Sequence, residues 1–305
     1  MFEKLKKILF NPRFILLILL HKFSRLITND ELYIRIEYFL YMGRRLNLNP
    51  PTTFNEKLQW LKLHDRNPTY TQMVDKYEVK KNISNILGEE YVIPTLGVWD
   101  SFDDVNFEEL PDQFVLKCTH DSGGIVICKD KSSFDINKAK KTLNKFLRRQ
   151  YYYEHREYPY KNIKPRIIAE KYMVDESGTE LKDYKFFCFC GKPKMLFILT
   201  DRFIDTRLDF FDDKFEHLPF ERGYPNAEKE IRKPENFEQM LDIAAKLSQN
   251  IDFVRIDLYN INGKIYFGEF TFTPGNGMEP FTPEDWDRKV GEWLTFNNKL
   301  FSHTN

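Results

Sequence analysis

The sequence predicts an α+β fold with largely antiparallel sheets, and three observations lead to this class. Residues 1–70 show helical patterns with few strand signals. From about residue 91 short apolar strands alternate with turns, and two pairs of strands are spaced like hairpins. Runs of strands mixed with helices are typical of α+β proteins. At 305 residues the chain forms one large domain or two intimate ones.

Composition and charge exclude two broad classes of protein. The 46 basic and 46 acidic residues cancel, so no bulk charge is present to hold nucleic acid or another polyanion. Aromatic residues make up 16% of the chain, which argues against a disordered protein. Four cysteines are too few for a disulfide scaffold of this length, and they favour a cytoplasmic location.

The amino-terminal segment leaves two interpretations open. Residues 14–20 form an apolar run that is too short to span a membrane, for which roughly 20 residues are needed. Either a helix here docks its apolar side on the rest of the protein, or residues 1–26 lie on the anionic inner face of a membrane. Basic residues flank the run: Lys4, Lys6, Lys7, Arg13, Lys22 and Arg25.

Two capping boxes predict where helices begin. Thr53 and Glu56 open one helix, and Asp75 and Glu78 open another, with Lys76 in its first turn. Apolar residues at helical spacing predict two more helices, over 136–147 and from 234 to 244. The predicted strands are 114–118, 125–128, 166–170, a hairpin of 184–190 and 193–200 that turns at Gly191-Lys192, and a last hairpin of 252–259 and 264–271.

The last hairpin carries the most informative pattern in the chain. A three-residue loop with Gly263 at its left-handed third position pairs Asn260 with Lys264. Counting back along both strands, this register sets Asp257 opposite Phe267.

The same register places four polar side chains on one face of the hairpin, because side chains alternate along each strand. Arg255 lies opposite Glu269, and Asp257 and Thr271 share their face. A two-residue loop would instead bury Glu269 among apolar residues, which is costly. The opposite, core-facing side carries Val254, Ile256, Leu258, Tyr266 and Phe270.

Two carboxylates beside an arginine have two interpretations. They form salt bridges on a surface hairpin, or they hold a divalent cation such as Mg²⁺, which takes one or two carboxylates and completes its shell with water and phosphate oxygens. In the second case Arg255 holds phosphate oxygens with its guanidinium fork. The turn-rich segment 273–277 follows the strand and favours the second interpretation, since such a loop can line a cleft.

A lysine and a glycine loop form the second pattern. Lys117 lies in an apolar strand and is followed by Ser122, Gly123 and Gly124. Backbone N–H groups of a short glycine loop can bind phosphate, although an ordinary hairpin with a solvated lysine fits the same sequence. Lys185 is a second basic residue in a strongly apolar strand.

In their order along the chain these pieces resemble the ATP-grasp enzymes, and more closely the TupA-like ATP-grasp family, which is linked to teichuronopeptide and capsular polysaccharide synthesis. The resemblance covers most of residues 50–290. The matching stretches are 54–60 (FNEKLQW), 75–77 (DKY), 114–124 (FVLKCTHDSGG), 183–186 (DYKF), 255–257 (RID) and 267–274 (FGEFTFTP).

The resemblance implies an ATP-grasp fold, in which two α+β subdomains grip ATP between antiparallel sheets. It implies a helical extension at 1–70, a small subdomain at 71–174 and a large subdomain at 175–305. The implied activity is ATP-dependent ligation of a carboxylate to an amine through an acyl phosphate. The implied substrate is a small molecule or a polysaccharide precursor, and the implied cofactors are ATP and Mg²⁺.

The resemblance also implies a role for each motif residue. Lys117 would hold the α- and β-phosphates, and the Ser122–Gly124 loop would close over them. Lys185 would contact phosphate, and Arg255 would stabilise the transferring phosphoryl group. The remaining implied residues are the adenine linker Glu170, Lys171, Tyr172 and Met173, and the metal positions Asp257, Glu269 and Thr271, the last of which is Asn in many ATP-grasp enzymes.

Three alternatives remain at this stage. Asp285-Trp-Asp287 is the Asp-x-Asp pattern with which glycosyltransferases hold a nucleotide-sugar metal, although acidic residues at a helix N-terminus also explain it. Cys118 and His120 are a conceivable nucleophile pair, but their spacing on a strand fits it poorly. A non-catalytic scaffold with a degenerate nucleotide site is the third alternative.

Overall fold

We describe the chain from a computed structural model that covers residues 12–175, 181–200 and 205–296. The helices are α1 (Pro12–Lys22), α2 (Asp30–Met42), α3 (Phe54–His64), α4 (Thr69–Val74), α5 (Glu78–Leu87), α6 (Ile136–Leu147), α7 (Tyr152–His155), α8 (Phe237–Leu247) and α9 (Asp285–Trp293). The first eleven residues of the segment 1–26, for which protein packing and membrane contact are both open, lie outside the described residues.

The strands form antiparallel sheets, as predicted. The strands are β1 (Thr95–Trp99), β2 (Phe114–Cys118), β3 (Ile125–Cys128), β4 (Ile167–Lys171), β5 (Asp183–Phe189), β6 (Lys192–Thr200), β7 (Arg207–Asp212), β8 (His217–Leu218), β9 (Glu221–Arg222), β10 (Phe253–Ile261), β11 (Lys264–Thr271) and β12 (Phe281–Thr282). One sheet has four strands in the order β1-β4-β2-β3, a second has six in the order β11-β10-β5-β6-β7-β8, and a third pairs β12 with β9.

Helices cover both faces of the six-stranded sheet. Successive residues of β5 and β10 point to opposite sides, so each strand contributes apolar side chains to both faces. Phe186 packs with Met240 of α8 on one face, and Phe187 packs with Phe54 of α3 on the other. The ring centroids of Phe54 and Phe253 lie 5.1 Å apart. Both faces of the sheet that carries Arg255 and Asp257 are therefore packed against helices.

The four-stranded sheet has its own core, into which α6 packs, whereas α5 packs into the core of the six-stranded sheet. Leu116 of β2 packs with Leu143 of α6, whereas Val79 and Ile83 of α5 pack in the core of the six-stranded sheet. The division of the chain at residues 70 and 174 remains a prediction.

The first capping box is confirmed and the second is only half formed. Thr53 Oγ1 accepts a hydrogen bond from the Glu56 backbone N–H, and the Glu56 carboxylate accepts one from Thr53. Asp75 accepts from the backbone N–H groups that follow it, but α5 begins at Glu78. The prediction that Lys76 lies in the first helical turn is therefore wrong. Lys76 lies in the preceding turn, and its ammonium donates to the carbonyl of Asp121.

The β5–β6 turn lies one residue earlier than predicted. Cys190 and Gly191 form it, both with positive φ (49° and 78°), and Lys192 already pairs with Phe189 as the first residue of β6. The left-handed pair suits a two-residue hairpin turn, whose twist matches that of the strands.

The predicted loop of the last hairpin is wrong, although the predicted polar face is correct. The loop has two residues, Asn262 and Gly263, with φ of 51° and 78°, and Ile261 pairs with Lys264. Asn-Gly is the preferred sequence for a turn with two left-handed residues.

A bulge at Gly268 restores the alternation that the shorter loop would have reversed. Leu258 pairs with Phe267 and Asp257 with Glu269, so Gly268 is the extra residue on β11. A Cβ on Gly268 would lie 3.0 Å from the Asp257 carbonyl oxygen, which explains why glycine suits this position.

The bulge also changes which residues of β11 face the core. Before it, Ile265 and Phe267 are buried, and after it Phe270 is buried. Tyr266, which was predicted on the core face, is only half-buried and lies outside that core.

A buried carboxylate fastens the amino-terminal helices to the rest of the chain. Glu37 of α2 is fully buried, and its Oε1 lies 2.9 Å from His21 Nε2 of α1 and 2.7 Å from His155 Nδ1 of α7. Burial alone raises the pKa of Glu37, but the hydrogen bonds from His155 and His21 outweigh it and hold the pKa at about 2.

Within the described residues no helix is long and apolar enough to cross a bilayer.

Glu37→Gln should lower the free energy of unfolding by about 3 kcal/mol at pH 7, since it removes one partner of a buried charged network. The folded pKa lies below the ordinary value of 4.5. The contribution is therefore present above pH 4.5 and lost as the pH falls toward 2. Urea unfolding should show the difference from wild type shrinking by roughly half between pH 7 and pH 3. Exposed Glu31→Gln on the same helix serves as control, and an undiminished difference would refute this account of Glu37.

Candidate active site

A cleft between the two larger sheets gathers most of the predicted site residues. A cavity of about 290 Å³ is lined by strands of both sheets and by the start of α5, and a second cavity of about 270 Å³ adjoins it. Both cavities are lined by Lys117 and Glu170. The charged residues around the first cavity balance: Lys76, Lys80, Lys117 and Lys185 against Glu170, Asp183, Asp257 and Glu269.

Two lysines and a glutamate form one end of the first cavity. Glu170 Oε2 lies 2.6 Å from Lys117 Nζ, and its other oxygen lies 2.5 Å from Lys80 Nζ. Burial raises the pKa of Glu170, but Lys117 and Lys80 outweigh it and hold the pKa at about 2. Burial lowers the pKa of Lys80, and Glu170 offsets part of that shift. The carboxylate thus occupies the position where two cations converge.

The glycine loop borders the same cavity. Ser122 and Gly123 line it, and Gly123 adopts a φ of 105° that favours glycine. Gly124 is not among the lining residues, and a Cβ there would lie 2.9 Å from the Cys118 Cβ. Gly124 therefore permits the loop to pack tightly behind Ser122 and Gly123. Arg149 donates to the Ser122 carbonyl at 2.9 Å and fixes the outer side of the loop.

The last hairpin supplies the opposite end of the cavity. Asp257 is almost fully buried, accepts from Arg255 Nε at 2.6 Å and Nη2 at 2.8 Å, and also accepts from Lys185. The Glu269 side chain is 44% exposed, and its Oε1 lies 3.0 Å from Arg255 Nη2. Thr271 accepts from Arg255 at 2.9 Å and donates to Glu269 at 3.2 Å. The predicted group of four side chains is therefore connected around Arg255.

The charges in this group stabilise one another. Burial lowers the pKa of Arg255, but Asp257 and then Glu269 raise it more, so the net shift is upward. Partial burial raises the pKa of Glu269, and Lys185, Arg255 and Lys76 lower it more, so the net shift is downward. Both groups are charged at neutral pH.

The donor set fits a hard divalent cation. Asp257 and Glu269 are paired directly across β10 and β11, so their carboxylate oxygens converge on one end of the cavity. Glu269 Oε2 has no hydrogen-bond partner among the described residues, which leaves an oxygen open to an ion. Carboxylate oxygens are the ligands that Mg²⁺ prefers. Thr271 holds the other oxygen of Glu269, so its hydroxyl acts here on the carboxylate.

The predicted adenine linker is divided between the two cavities. Lys171, Tyr172 and Met173 line the second cavity with the apolar side chains of Val115 and Ile127. Glu170, the first residue of the predicted linker, directs its carboxylate toward Lys117 and Lys80 instead. A largely apolar cavity thus adjoins one that is lined by charges of both signs.

Four polar lining residues were missed as site residues in the sequence: Lys76, Lys80, Asp183 and Tyr259. Lys76 and Asp183 belong to motif stretches that were noted, 75–77 and 183–186, so a signal existed for both. Lys80 follows Lys76 by four positions, but its partner Glu170 on β4 is too distant in the sequence to reveal the pair.

The alternative motifs have structural partners. Asp287 is buried and accepts from the Asn55 backbone at 2.9 Å and from Arg44 at 2.8 Å, and Asp285 pairs with Lys289 at 2.6 Å. Neither aspartate lines the first or the second cavity.

The Cys118–His120 pair is likewise accounted for by its neighbours. Cys118 Sγ is directed to the Leu143 carbonyl at 3.7 Å, and His120 Nε2 lies 3.1 Å from the Arg149 carbonyl. Burial raises the pKa of Cys118 to about 12, which disfavours a nucleophilic thiolate.

Comparison with solved structures found ATP-grasp ligases. The D-alanine–D-alanine ligase from Helicobacter pylori is 16% identical, with a TM-score of 0.41 over 79% of this chain and 68% of that one. The Bacillus anthracis ligase complexed with ATP is 16% identical, with a TM-score of 0.41 over 73% and 59%. The ligase PsnB complexed with minimal precursor, Mg and ADP is 13% identical, with a TM-score of 0.37 over 72% and 57%. The chain spans less than two thirds of the length of the last two.

The family of the chain is shown by a match to a family model, since the similarity to the solved structures is low. No curated protein matches the chain. The model of the TupA-like ATP-grasp family matches residues 56–295, which is more than three quarters of the chain, and this confirms the predicted α+β ATP-grasp fold and the predicted enzyme class. The chain belongs to the TupA-like ATP-grasp family and is an ATP-grasp ligase.

Proposed function

We propose that the chain joins a carboxylate to an amine with ATP, through an acyl phosphate, and that it attaches an amino acid to a sugar-acid group in surface polysaccharide synthesis. One observation carries the reaction type. Lysines at one end of a single cavity face Asp257 and Glu269 at the other end, and Arg255, which does not itself line the cavity, donates to both carboxylates. Phosphoryl transfer needs this kind of positioning and charge neutralisation, and little covalent help from the protein.

ATP would bind with its base in the second cavity and its phosphates in the first. The apolar side chains near Tyr172 and Met173 suit the base, and Lys117 and Lys80 suit phosphate. Both lysines bind Glu170 in this structure, so phosphate oxygens would replace that carboxylate or share the two ammonium groups with it. The Ser122–Gly123 segment would close over the phosphates.

Asp257 and Glu269 would hold Mg²⁺, with Thr271 orienting the glutamate. When bound, the ion supplies charge neutralisation for the phosphate oxygens. Lys185 and Arg255 add two more positive charges at this end of the cavity.

The bonds change in two steps. An oxygen of the substrate carboxylate attacks the γ-phosphorus, the bond from this phosphorus to the β–γ bridging oxygen breaks, and ADP leaves. The amine nitrogen then attacks the acyl carbon, the bond to phosphate breaks, and the nitrogen releases its proton to solvent. Arg255 would stabilise the charge on the transferring group with its fork.

The substrate class comes from the family. Resemblance to TupA-like proteins supports a sugar acid as the carboxylate and an amino acid as the amine. The sugar acid would belong to a cytoplasmic polysaccharide precursor. The lysines of the cavity are compatible with an acidic substrate beside ATP.

An ADP-release screen that pairs sugar acids with amino acids tests this function. We expect release that depends on both substrates, and a hydroxamate when hydroxylamine replaces the amine, because it traps the acyl phosphate. Transfer from a UDP-sugar without ATP would support the glycosyltransferase alternative instead. Binding of ATP without turnover for any pair would support a nucleotide-binding scaffold.

Arg255→Lys should keep ATP binding but lower turnover by about 100-fold, because a single ammonium replaces a guanidinium fork that spans Asp257, Glu269 and Thr271. Steady-state kinetics with the best substrate pair measure the change. Arg35→Lys, on the exposed side of α2, is a matched control that should match wild type. Equal loss of kcat and of ATP affinity would assign Arg255 to ground-state binding.

A further inference from the structure

Helix α1 is apolar on its outward face as well as on its inward face. Leu17 and Leu20 are buried against the protein. The other apolar residues of the helix are 43–51% exposed, although a surface helix usually places polar residues there. These exposed residues are Phe14, Ile15, Leu16, Ile18 and Leu19.

Further exposed apolar residues follow α1 and lie on α2, which contacts α1. Ten of the eighteen large apolar residues that are exposed in the described part of the chain lie between residues 14 and 41. Such a concentration marks an interaction surface, because single exposed apolar residues are normally scattered. The surface, which we name the amino-terminal apolar surface, consists of the five α1 residues with Phe23, Leu26, Leu32, Phe39 and Tyr41.

Basic residues flank the apolar residues of α1. Residues 12–29 contain no aspartate or glutamate, and Arg13, Lys22 and Arg25 are all exposed. Each of the three cations lies over an aromatic ring, at 5.7, 5.8 and 5.4 Å from the centroid. Apolar residues edged by cations and aromatic rings are typical of helices that lie in the headgroup region of an anionic bilayer.

The helix is held firmly, so its outward face is presented in a defined orientation. His21 binds the buried Glu37, as described above. Arg156 is buried and donates to the carbonyls of Ser24 and Ile27, at 2.6 and 2.8 Å, in the segment that follows α1. At 11 residues, or about 16 Å, α1 would lie in the plane of a membrane and not cross it.

We propose that the amino-terminal apolar surface binds an anionic lipid bilayer. The apolar area supplies the insertion, and the exposed cations select anionic headgroups. The interpretation of α1 as a helix that only packs on the protein does not explain its outward residues. The proposal does not depend on the proposed ligase activity, because vesicle binding is measured without ATP.

Vesicle flotation of the full chain tests the proposal. We expect wild type to float with phosphatidylglycerol-containing vesicles at low salt, and at least tenfold less with pure phosphatidylcholine or at high salt. Ile15→Ser/Leu19→Ser should reduce flotation at least tenfold with unchanged melting temperature, since both residues are exposed. The matched control, Ile86→Ser/Ile136→Ser, alters two exposed residues elsewhere and should float like wild type.

Four outcomes would overturn the proposal. Absence of wild-type flotation, or equal flotation of wild type and Ile15→Ser/Leu19→Ser, would show that the surface does not bind lipid. Self-association that is abolished by the double variant, measured by light scattering without lipid, would assign the surface to a second copy of the chain. Flotation that is lost on removal of residues 1–11 but kept in Ile15→Ser/Leu19→Ser would assign lipid binding to that segment.

Discussion

Lys117→Met should weaken ATP binding at least 100-fold, because it removes the cation shared by the two adjoining cavities while keeping most of the length of the side chain. Hydrogen bonds to charged groups contribute about 1.5–3 kcal/mol, and 100-fold corresponds to roughly 2.7 kcal/mol. Calorimetric titration with a non-hydrolysable ATP analogue measures the effect. Lys289→Met, which changes an exposed lysine on α9, should bind like wild type.

The ion pair with Glu170 must be separated from this effect. Lys117→Met leaves the buried Glu170 with Lys80 as its remaining partner and should lower the melting temperature. The double variant Lys117→Met/Glu170→Gln should recover stability without recovering ATP affinity. Restored affinity in the double variant, or unchanged affinity in the single one, would show that Lys117 does not bind phosphate.

Asp257→Asn and Glu269→Gln should each lower Mg²⁺-dependent turnover by about 100-fold, but only the first should cost much stability. Asp257 is buried between Arg255 and Lys185, so its neutralisation should cost about 3 kcal/mol of unfolding free energy. Glu269 is half-exposed, so its neutralisation should cost less than about 1 kcal/mol. Turnover against Mg²⁺ concentration and urea unfolding measure the two effects.

Glu269→Gln is therefore the sharper variant, because a loss of turnover cannot be attributed to unfolding. Glu238→Gln makes the same chemical change at an exposed carboxylate of α8 and should match wild type in both measurements. The pairing of Asp257 and Glu269 as metal ligands would be refuted if Glu269→Gln kept the Mg²⁺ dependence of wild type.

The polar face of the last hairpin was predictable, although its register was not. The alternation of apolar and charged residues along β10 is strong enough to place Arg255 and Asp257 on one face. The shorter loop and the bulge at Gly268 each shift the register of β11 by one residue, in opposite directions. A glycine inside a strand does not by itself reveal the length of the hairpin loop. The face of Glu269 was therefore predicted correctly from an incorrect loop.

Contacts between distant segments were the least predictable part of the site. Local patterns predicted that Lys117 avoids the core, but its partner Glu170 comes from a strand 53 positions later, since β2 pairs with β4. Lys80 reaches the same carboxylate from α5. Motif spacing contains no information on such pairs, because they are created when the sheet forms.

The central claim is that the cleft between the two larger sheets binds ATP together with Mg²⁺. Calorimetric titration of wild type with a non-hydrolysable ATP analogue, with Mg²⁺ and with EDTA, tests it most directly. We predict one nucleotide per chain, affinity at least tenfold weaker without Mg²⁺, and no binding of a UDP-sugar. Binding of the UDP-sugar in place of the ATP analogue, or nucleotide affinity that is indifferent to Mg²⁺, would contradict the claim.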